Sequence, residues 1–200
     1  IRDRQMIPVR TSGNVCVKAP VFPFIKLRGL DPAPGPEMKS TGEVFGSHQD
    51  ADVAYLKARL ATEVPVASSG GVYLTVRDDD KTNLIPIAQQ LHNLGFSLFA
   101  TSGTADILRS NNIPVDVVYR IRERMHPDAL DLMRQGKISF IVNVPTISGG
   151  AVRDGNMMRR LAVELNIPFV TTIRGANMEV AAIGAMKKGD MEPVRLQVNY

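Results

Sequence analysis

The sequence predicts an α/β fold in which a doubly wound, five-stranded parallel sheet carries helices on both faces. From Val72 onward, short apolar runs alternate with longer segments whose apolar residues recur at helical spacing. Residues 138–142 are almost wholly apolar, as expected for a strand covered on both faces. Such alternation is typical of parallel sheets joined by crossover helices.

Five strand–helix units are expected in this part of the chain. The strands are predicted at 72–76, 96–100, 115–118, 138–142 and 168–170. The helices are predicted at 83–94, from Thr101 to Asn112, from Pro127 to Gly136, around the apolar stripe Met158, Leu161, Ala162 and Leu165, and at 176–188. Pro86 is expected in the first turn of the first helix, and Pro127 as the first residue of the third, where proline is tolerated.

The upstream part has a different character. Residues 14–19 could form a strand, and five prolines between Pro20 and Pro36 keep the following backbone extended. Residues 35–44 are rich in turn formers, and they fit either a polar loop that closes a sheet or a wall of an active site in a larger enzyme. Residues 50–60 have helical spacing, and 62–71 are predicted to be a linker. The domain division is therefore 1–61, linker 62–71, and 72–200.

Composition excludes several classes of function. The 24 basic and 20 acidic residues are scattered and aromatic residues are few, which argues against a nucleic-acid partner. No apolar run approaches the ~20 residues that span a bilayer, so no membrane partner is expected. The single cysteine, Cys16, fits a reducing, cytoplasmic location. The first residues lack a start Met and resemble the middle of a longer protein, so we expect a fragment.

The candidate binding site lies in the turns that follow the predicted strands. Ligands of such sheets bind outside the carboxyl ends of the strands, where the strand order reverses. A lysine that faces a Thr-Ser-Gly-Thr turn at a helix start is suited to hold a phosphate group. The residues expected to bind a phosphorylated ligand are Lys81, Thr101, Ser102, Gly103, Thr104, Arg120, Asn143, Thr146 and Thr171.

Other interpretations of these residues stay open. The hydroxyls of the Thr-Ser-Gly-Thr turn could only cap a helix, and Lys81 could be a solvated surface lysine. The three acids Asp78, Asp79 and Asp80 beside the proposed anion site argue against it. No His, Cys and carboxylate cluster has metal-ligand spacing, and both the phosphate loop and the Gly-x-Gly-x-x-Gly fingerprint are missing, so neither a metal nor a nicotinamide cofactor is expected.

Longer segments of the chain resemble a known enzyme family. From about Val72 to the end, the sequence resembles the methylglyoxal-synthase-like domain, which has a Rossmann-type fold. Upstream, the segments 17–24 and 35–44 resemble the end of the second synthetase domain, an ATP-grasp domain, of the carbamoyl phosphate synthase large chain. In this order, the two parts are similar to the C-terminal end of that large chain, and the resemblance covers essentially all 200 residues.

The resemblance implies that residues 72–200 form an allosteric domain that binds an effector such as UMP or IMP. Lys81, Thr101 and Thr104 match family positions that hold the effector phosphate, Arg120 falls near another basic contact, and Asn143 matches a residue that touches the base. After Asn143 the sequence Val-Pro-Thr-Ile-Ser-Gly-Gly departs from the best-known bacterial pattern, which leaves the effector's identity open.

The resemblance also implies a larger, glutamine-hydrolysing ligase that supplies pyrimidine and arginine biosynthesis. Its partners would be the rest of the large chain and a glutaminase small chain. ATP with Mg or Mn is implied for the full-length enzyme, whereas the fragment alone is expected to hold no cofactor and to be inactive.

Two other functions compete with this one. A lyase of the methylglyoxal synthase type fits the Asp78-x-x-Lys81 spacing, but its Gly-Gly-Asp turn is missing, and no other carboxylate suitable as a base is evident. A structural domain that forms a homo-oligomer would fit the apolar stretch at 15–30.

Overall fold

The computed structural model describes residues 13–23, 32, 38–145 and 150–189. In this part of the chain, two strands form a small antiparallel sheet and five form a larger parallel sheet. None of the helices in these residues is long and apolar enough to cross a membrane.

The strands are β1 (Val15–Val21), β2 (Gly42–His48), β3 (Gly71–Thr75), β4 (Ser97–Ala100), β5 (Asp116–Val117), β6 (Ile138–Asn143) and β7 (Phe169–Val170). The helices are α1 (Ala51–Leu60), α2 (Lys81–Asn93), α3 (Ser102–Ser110), α4 (Ala129–Arg134), α5 (Gly150–Glu164) and α6 (Ile173–Lys188). Short 3-10 turns at Asp78–Asp80 and Ile121–Glu123 follow β3 and β5.

The large sheet confirms the predicted parallel architecture. Its strand order is β5-β4-β3-β6-β7, and every neighbouring pair is parallel. The chain builds outward from β3 to β4 and β5, then returns to place β6 on the other side of β3. The strand order thus reverses between β3 and β6, where α/β sheets of this kind open a crevice at their carboxyl ends.

Both faces of the sheet are covered, because successive side chains of a strand point to opposite faces. Val72 and Leu74 of β3 pack with apolar residues of α2, α3 and α6. Tyr73, between them, packs with residues of α4 and α5 on the other face. This confirms the doubly wound arrangement.

An irregularity in β6 adjusts which of its residues face each helix layer. Gly71 pairs with Ile138 and Val72 with Phe140, so Ser139 is an extra residue in the ladder. The shift places Ile138 on the α4 and α5 side, although Phe140 packs on the other side. The Ser139 hydroxyl donates to the Gly71 carbonyl at 3.2 Å.

The small sheet and α1 pack closely together. Asp50 caps α1 by accepting from the backbone N–H of Asp52 at 2.8 Å. At Gly46 of β2, a Cβ atom would lie only 2.1 Å from the Ala54 carbonyl oxygen of α1. Only glycine permits this approach of helix backbone to strand backbone.

The same helix joins the large sheet's helical layer through α6. Val53 and Leu56 of α1 pack against Ala182 and Ala185 of α6. Beside this apolar contact lies a largely buried polar cluster that we name the α1–α6 clamp, formed by Tyr55, Arg59 and Glu179. The Arg59 guanidinium donates to both Glu179 carboxylate oxygens, from Nε at 2.8 Å and Nη2 at 3.0 Å. The Tyr55 hydroxyl donates to the same carboxylate at 3.1 Å.

Several expected boundaries were wrong. Residues 42–44, which were predicted to end a turn-rich segment at 35–44, instead begin β2, because residues 42–48 pair along the whole of β1. Helix α2 begins at Lys81, two residues before the predicted start at residue 83, so Pro86 lies in its second turn and not its first. Helix α6 begins at Ile173, where Thr172 caps it by accepting from the Gly175 N–H.

The start of α4 was also wrong. Pro127 precedes the helix, which begins at Ala129 after the cap residue Asp128. Asp128 accepts from the Asp131 N–H at 2.9 Å, and the Asp131 side chain accepts from the Asp128 N–H at 3.0 Å. This reciprocal capping fixes the helix start at Ala129, two residues beyond the proline.

Candidate functional site

A cavity of about 290 Å³ opens at the carboxyl ends of β3, β4 and β6, at the point where the strand order reverses. One wall is the turn after β3 and the start of α3. The opposite wall is the 3-10 turn after β5 and one face of α5. The position is the one expected from the fold.

Lys81 brings a positive charge to the first wall. As the first residue of α2, it follows the 3-10 turn that carries the chain out of β3, and its side chain is only 17% exposed. Its Nζ lies 2.7 Å from Asp78 Oδ1 and 3.2 Å from where a Cβ on Gly103 would stand. The ammonium group is therefore held against the first turn of α3, and the glycine leaves room for it.

Hydroxyl groups face the same space. Thr101 occupies the N-cap position of α3, yet its side chain makes no capping hydrogen bond. Thr101 and the buried Thr104 are three residues apart, so they lie on one side of the helix start, and both line the cavity. The first N–H groups of a helix lack intrahelical acceptors and favour an anion. The Thr101 side chain therefore does not act as a cap of α3.

Two of the three acids that argued against an anion site, Asp78 and Asp80, have basic partners. Asp78 pairs with Lys81, and this hydrogen bond lowers the pKa of the Asp78 carboxyl. Asp80 pairs with Arg77, with 2.5 Å between Oδ2 and Nε. Asp78 is 91% exposed, so water screens its charge, whereas Lys81 is largely shielded. The pairing of Asp78 and Asp80 with basic side chains therefore reduces the repulsion that an anion would meet at this wall.

The opposite wall combines two arginines with one carboxylate. Arg120 and Arg122 lie at the 3-10 turn, which Glu123 closes by accepting from the Arg120 N–H at 3.0 Å. Asp154 of α5 faces them, and burial raises the pKa of its carboxyl, although the charge of Arg122 opposes this. Burial also raises the pKa of the Tyr73 phenol, at the base of the cavity.

The last residue of β6, Asn143, is held by a buried arginine. Arg159 of α5 is 2% exposed, and its Nη1 donates to Asn143 Oδ1 at 2.5 Å. Its Nη2 donates to Asn156 Oδ1, one turn earlier on the same helix. Asn143 is 5% exposed and lines the cavity.

The structure brings most of the predicted residues together. Those that line the cavity are Lys81, Thr101, Gly103, Thr104, Arg120 and Asn143. Ser102 does not, because it lies about 100° around the helix from Thr101. Thr171 does not, because it follows β7, one strand farther from the reversal point. Thr146 lies outside the described residues.

Sequence reasoning missed Arg122, Asp154 and Arg159. The only available signal was helical phase, since Asp154 precedes the predicted core residue Met158 by four positions and so shares its face. Arg159 gave no such signal, because adjacent arginines on an amphipathic helix are ordinarily solvated.

The structure also corrects the expectation that no His, Cys and carboxylate cluster has metal-ligand spacing. His126, Asp128 and Asp131 offer ligand atoms within 4.8 Å of one another. These groups already bond to one another, with 2.5 Å between His126 Nδ1 and Asp131 Oδ2. That hydrogen bond raises the pKa of His126. The cluster is explained by the capping of α4.

Comparison with known proteins agrees with the fold. Residues 83–171 match the family described as the MGS-like domain. The carbamoyl phosphate synthase large chain, C-terminal section, of Methanocaldococcus jannaschii is 47% identical over 178 residues, which are 88% of this chain and 28% of the relative. Its counterpart from Methanopyrus kandleri is 44% identical, over 88% of this chain and 32% of the relative.

A third relative, the carbamoyl phosphate synthase large chain of Methanosarcina barkeri, is 41% identical over 88% of this chain and 44% of its own length. The chain thus spans less than half the length of each of these three relatives. The matches confirm the resemblance that the sequence motifs indicated.

Proposed function

We propose that this chain, which contains an MGS-like domain and is similar over 88% of its length to the C-terminal section of carbamoyl phosphate synthase large chains, is the regulatory part of such an enzyme. The observation that supports this best is the convergence of Lys81, Thr101, Thr104 and Arg120 on one cavity at the reversal point of the sheet. The cavity would bind a phosphorylated effector.

The chemistry of the cavity supports a phosphate group at the first wall. A dianion there would accept from the Lys81 ammonium, the threonine hydroxyls and the free N–H groups of α3. Arg120 and Arg122 add positive charge at the other wall, against one carboxylate, Asp154. The volume of about 290 Å³ lies just below the ~300–1,000 Å³ typical of ligand pockets, so we expect an effector the size of a nucleoside monophosphate or smaller.

The upstream residues would belong to the catalytic part of the enzyme. We assign β1, β2 and α1 to the end of an ATP-grasp synthetase domain, with 62–71 as linker and 72–200 as the effector domain. The rest of the large chain and a glutaminase small chain would complete a cytoplasmic assembly, with ATP and a divalent cation bound outside this chain. The assembly would serve pyrimidine and arginine biosynthesis. The effector would act by binding one state of the full enzyme better than another.

The test is calorimetric titration of the chain with UMP, IMP and N-acetylglutamate. We expect saturable binding of a nucleotide, weakened about tenfold or more in Lys81→Ala, because a charge-assisted hydrogen bond to the phosphate is lost. Thr104→Ala should weaken it less. The matched control is Lys187→Ala, a lysine of α6 that is bonded to the Leu94 carbonyl and does not line the cavity. Absence of any binding would contradict the proposal.

One observation favours a second candidate, the methylglyoxal-synthase-type lyase. We expected no carboxylate suitable as a base, yet Asp154 lines the cavity with a raised pKa. The raised pKa suits a proton-abstracting group. Incubation with dihydroxyacetone phosphate decides between the two functions, and we expect no methylglyoxal from the natural chain or from Asp154→Asn. Product formed by the natural chain and lost in Asp154→Asn would establish the lyase.

A further inference from the structure

The amide of Asn143 has a fixed orientation in the cavity. A guanidinium group has five N–H donors and no acceptor, so the atom of Asn143 that meets Arg159 must be the oxygen. The nitrogen, Nδ2, therefore points away from Arg159. Within the part of the chain that the structure describes, the Asn143 side chain shows no further hydrogen bond, and no buried side-chain nitrogen or oxygen lacks a partner. Nδ2 thus reaches the open space of the cavity as a donor.

The neighbourhood of Arg159 supports a dedicated arrangement. Its second nitrogen, Nη2, is bonded to Asn156, so two contacts in different directions fix the plane of the guanidinium. At Gly155, a Cβ atom would stand 2.8 Å from Arg159 Nη1 and 3.4 Å from Asn143 Oδ1. Any larger residue would press on this pair. Glycine inside a helix is less favourable than alanine, and here its lack of a side chain makes room for the contact.

We propose that Arg159 is a positioning residue that holds the Asn143 amide as a hydrogen-bond donor, so that the cavity selects a phosphorylated ligand with a carbonyl oxygen over one with an amino group at the same place. The inference rests on the proposed function, because the phosphate contacts at the first wall would bring the ligand into the cavity. If the ligand had an amino group there, two hydrogen-bond donors, that group and Asn143 Nδ2, would face each other, and one hydrogen bond would be lost.

UMP and CMP provide a matched pair of probes. They share the ribose phosphate, but at C4 of the base UMP has a carbonyl oxygen where CMP has an amino group, and the adjacent N3 carries a hydrogen only in UMP. Calorimetric titration of the natural chain should give about tenfold tighter binding of UMP, since one hydrogen bond is made or lost. Ribose 5-phosphate, which has no base, measures the phosphate contacts alone.

Three variants test the role of the pair. In Asn143→Asp, one carboxylate oxygen stays on Arg159 and the other faces the cavity as an acceptor, so the preference should turn toward CMP. The added negative charge should also weaken the binding of ribose 5-phosphate, and that loss measures the effect of the charge alone. In Arg159→Met, the amide is free to turn over, and the ratio of the two affinities should fall toward one. Arg159→Lys still offers only donors and should keep the preference for UMP.

The control is Arg160→Met, the same substitution at an exposed neighbour on α5 that does not line the cavity. It should leave the ratio within about twofold. If Arg159→Met does not fold, Asn143→Asp alone decides. Equal binding of UMP and CMP by the natural chain would overturn this inference, and so would an unchanged ratio of the two affinities in Asn143→Asp. In either case, binding of ribose 5-phosphate would still support the proposed function. No binding of any of the three compounds would overturn the proposed function itself.

Discussion

The molecule contains two clusters of similar composition that differ in what they leave available. The α1–α6 clamp and the first wall of the cavity each pair a basic side chain with a carboxylate at 2.7–2.8 Å. In the clamp, Glu179 is 1% exposed and accepts from both Arg59 and Tyr55. In the cavity wall, Asp78 is almost fully exposed, and Lys81 borders an open space lined with further donors.

The difference shows why the pairing of charges does not by itself mark a binding site. In the clamp, Arg59 directs two nitrogens to Glu179 and another to the Thr62 hydroxyl, so its main donors are occupied. Burial and hydrogen bonding to Glu179 also raise the pKa of Tyr55, which keeps its hydroxyl a donor. The clamp therefore fixes α1 on α6. At the cavity, the partner of Lys81 is solvated and easily exchanged for a ligand.

Breaking the clamp should have the largest effect. In Glu179→Ala, the Arg59 guanidinium would stay largely buried without its carboxylate, and loss of a partner from a buried ion pair costs about 3–5 kcal/mol. Urea denaturation followed by circular dichroism should show a reduced free energy of unfolding. Replacement of both charges, in Arg59→Met with Glu179→Met, should recover most of the loss, because no unpaired charge is then left.

The matched comparison is Asp78→Ala, which removes the carboxylate of the exposed pair. Its urea denaturation should not differ measurably from that of the natural chain, since exposed pairs contribute little. Equal stability of Glu179→Ala and the natural chain would mean that the clamp contributes nothing to the docking of α1. The distinction between the two clusters would then fail.

The two clusters also differ in how far the sequence could predict them. The cavity follows from local patterns, because the turns after parallel strands meet at one edge, and so Lys81 and the Thr-Ser-Gly-Thr turn could be placed together in advance. The clamp joins Arg59 to Glu179 across 120 residues, and no periodicity links them. The pairing of β2 with β1 and the contact of Arg159 with Asn143 escaped prediction for the same reason, since each depends on tertiary packing.

The smallest effect is expected from the exposed pair of Asp78 and Lys81, and it concerns ligand affinity instead of stability. Asp78→Asn keeps the size of the side chain but removes the charge that competes with an anion for Lys81. We expect ribose 5-phosphate to bind a few-fold more tightly in calorimetric titration, because a solvated charge near the site is repulsive but strongly screened. The gain in affinity should shrink as the salt concentration is raised, since screening weakens the repulsion.

Asp52→Asn, at the first turn of α1, provides the control for a lost surface charge outside the cavity. Unchanged affinity in Asp78→Asn at low salt would mean that Asp78 does not compete for Lys81, and weaker binding would mean that the pair instead holds the lysine in place for the ligand.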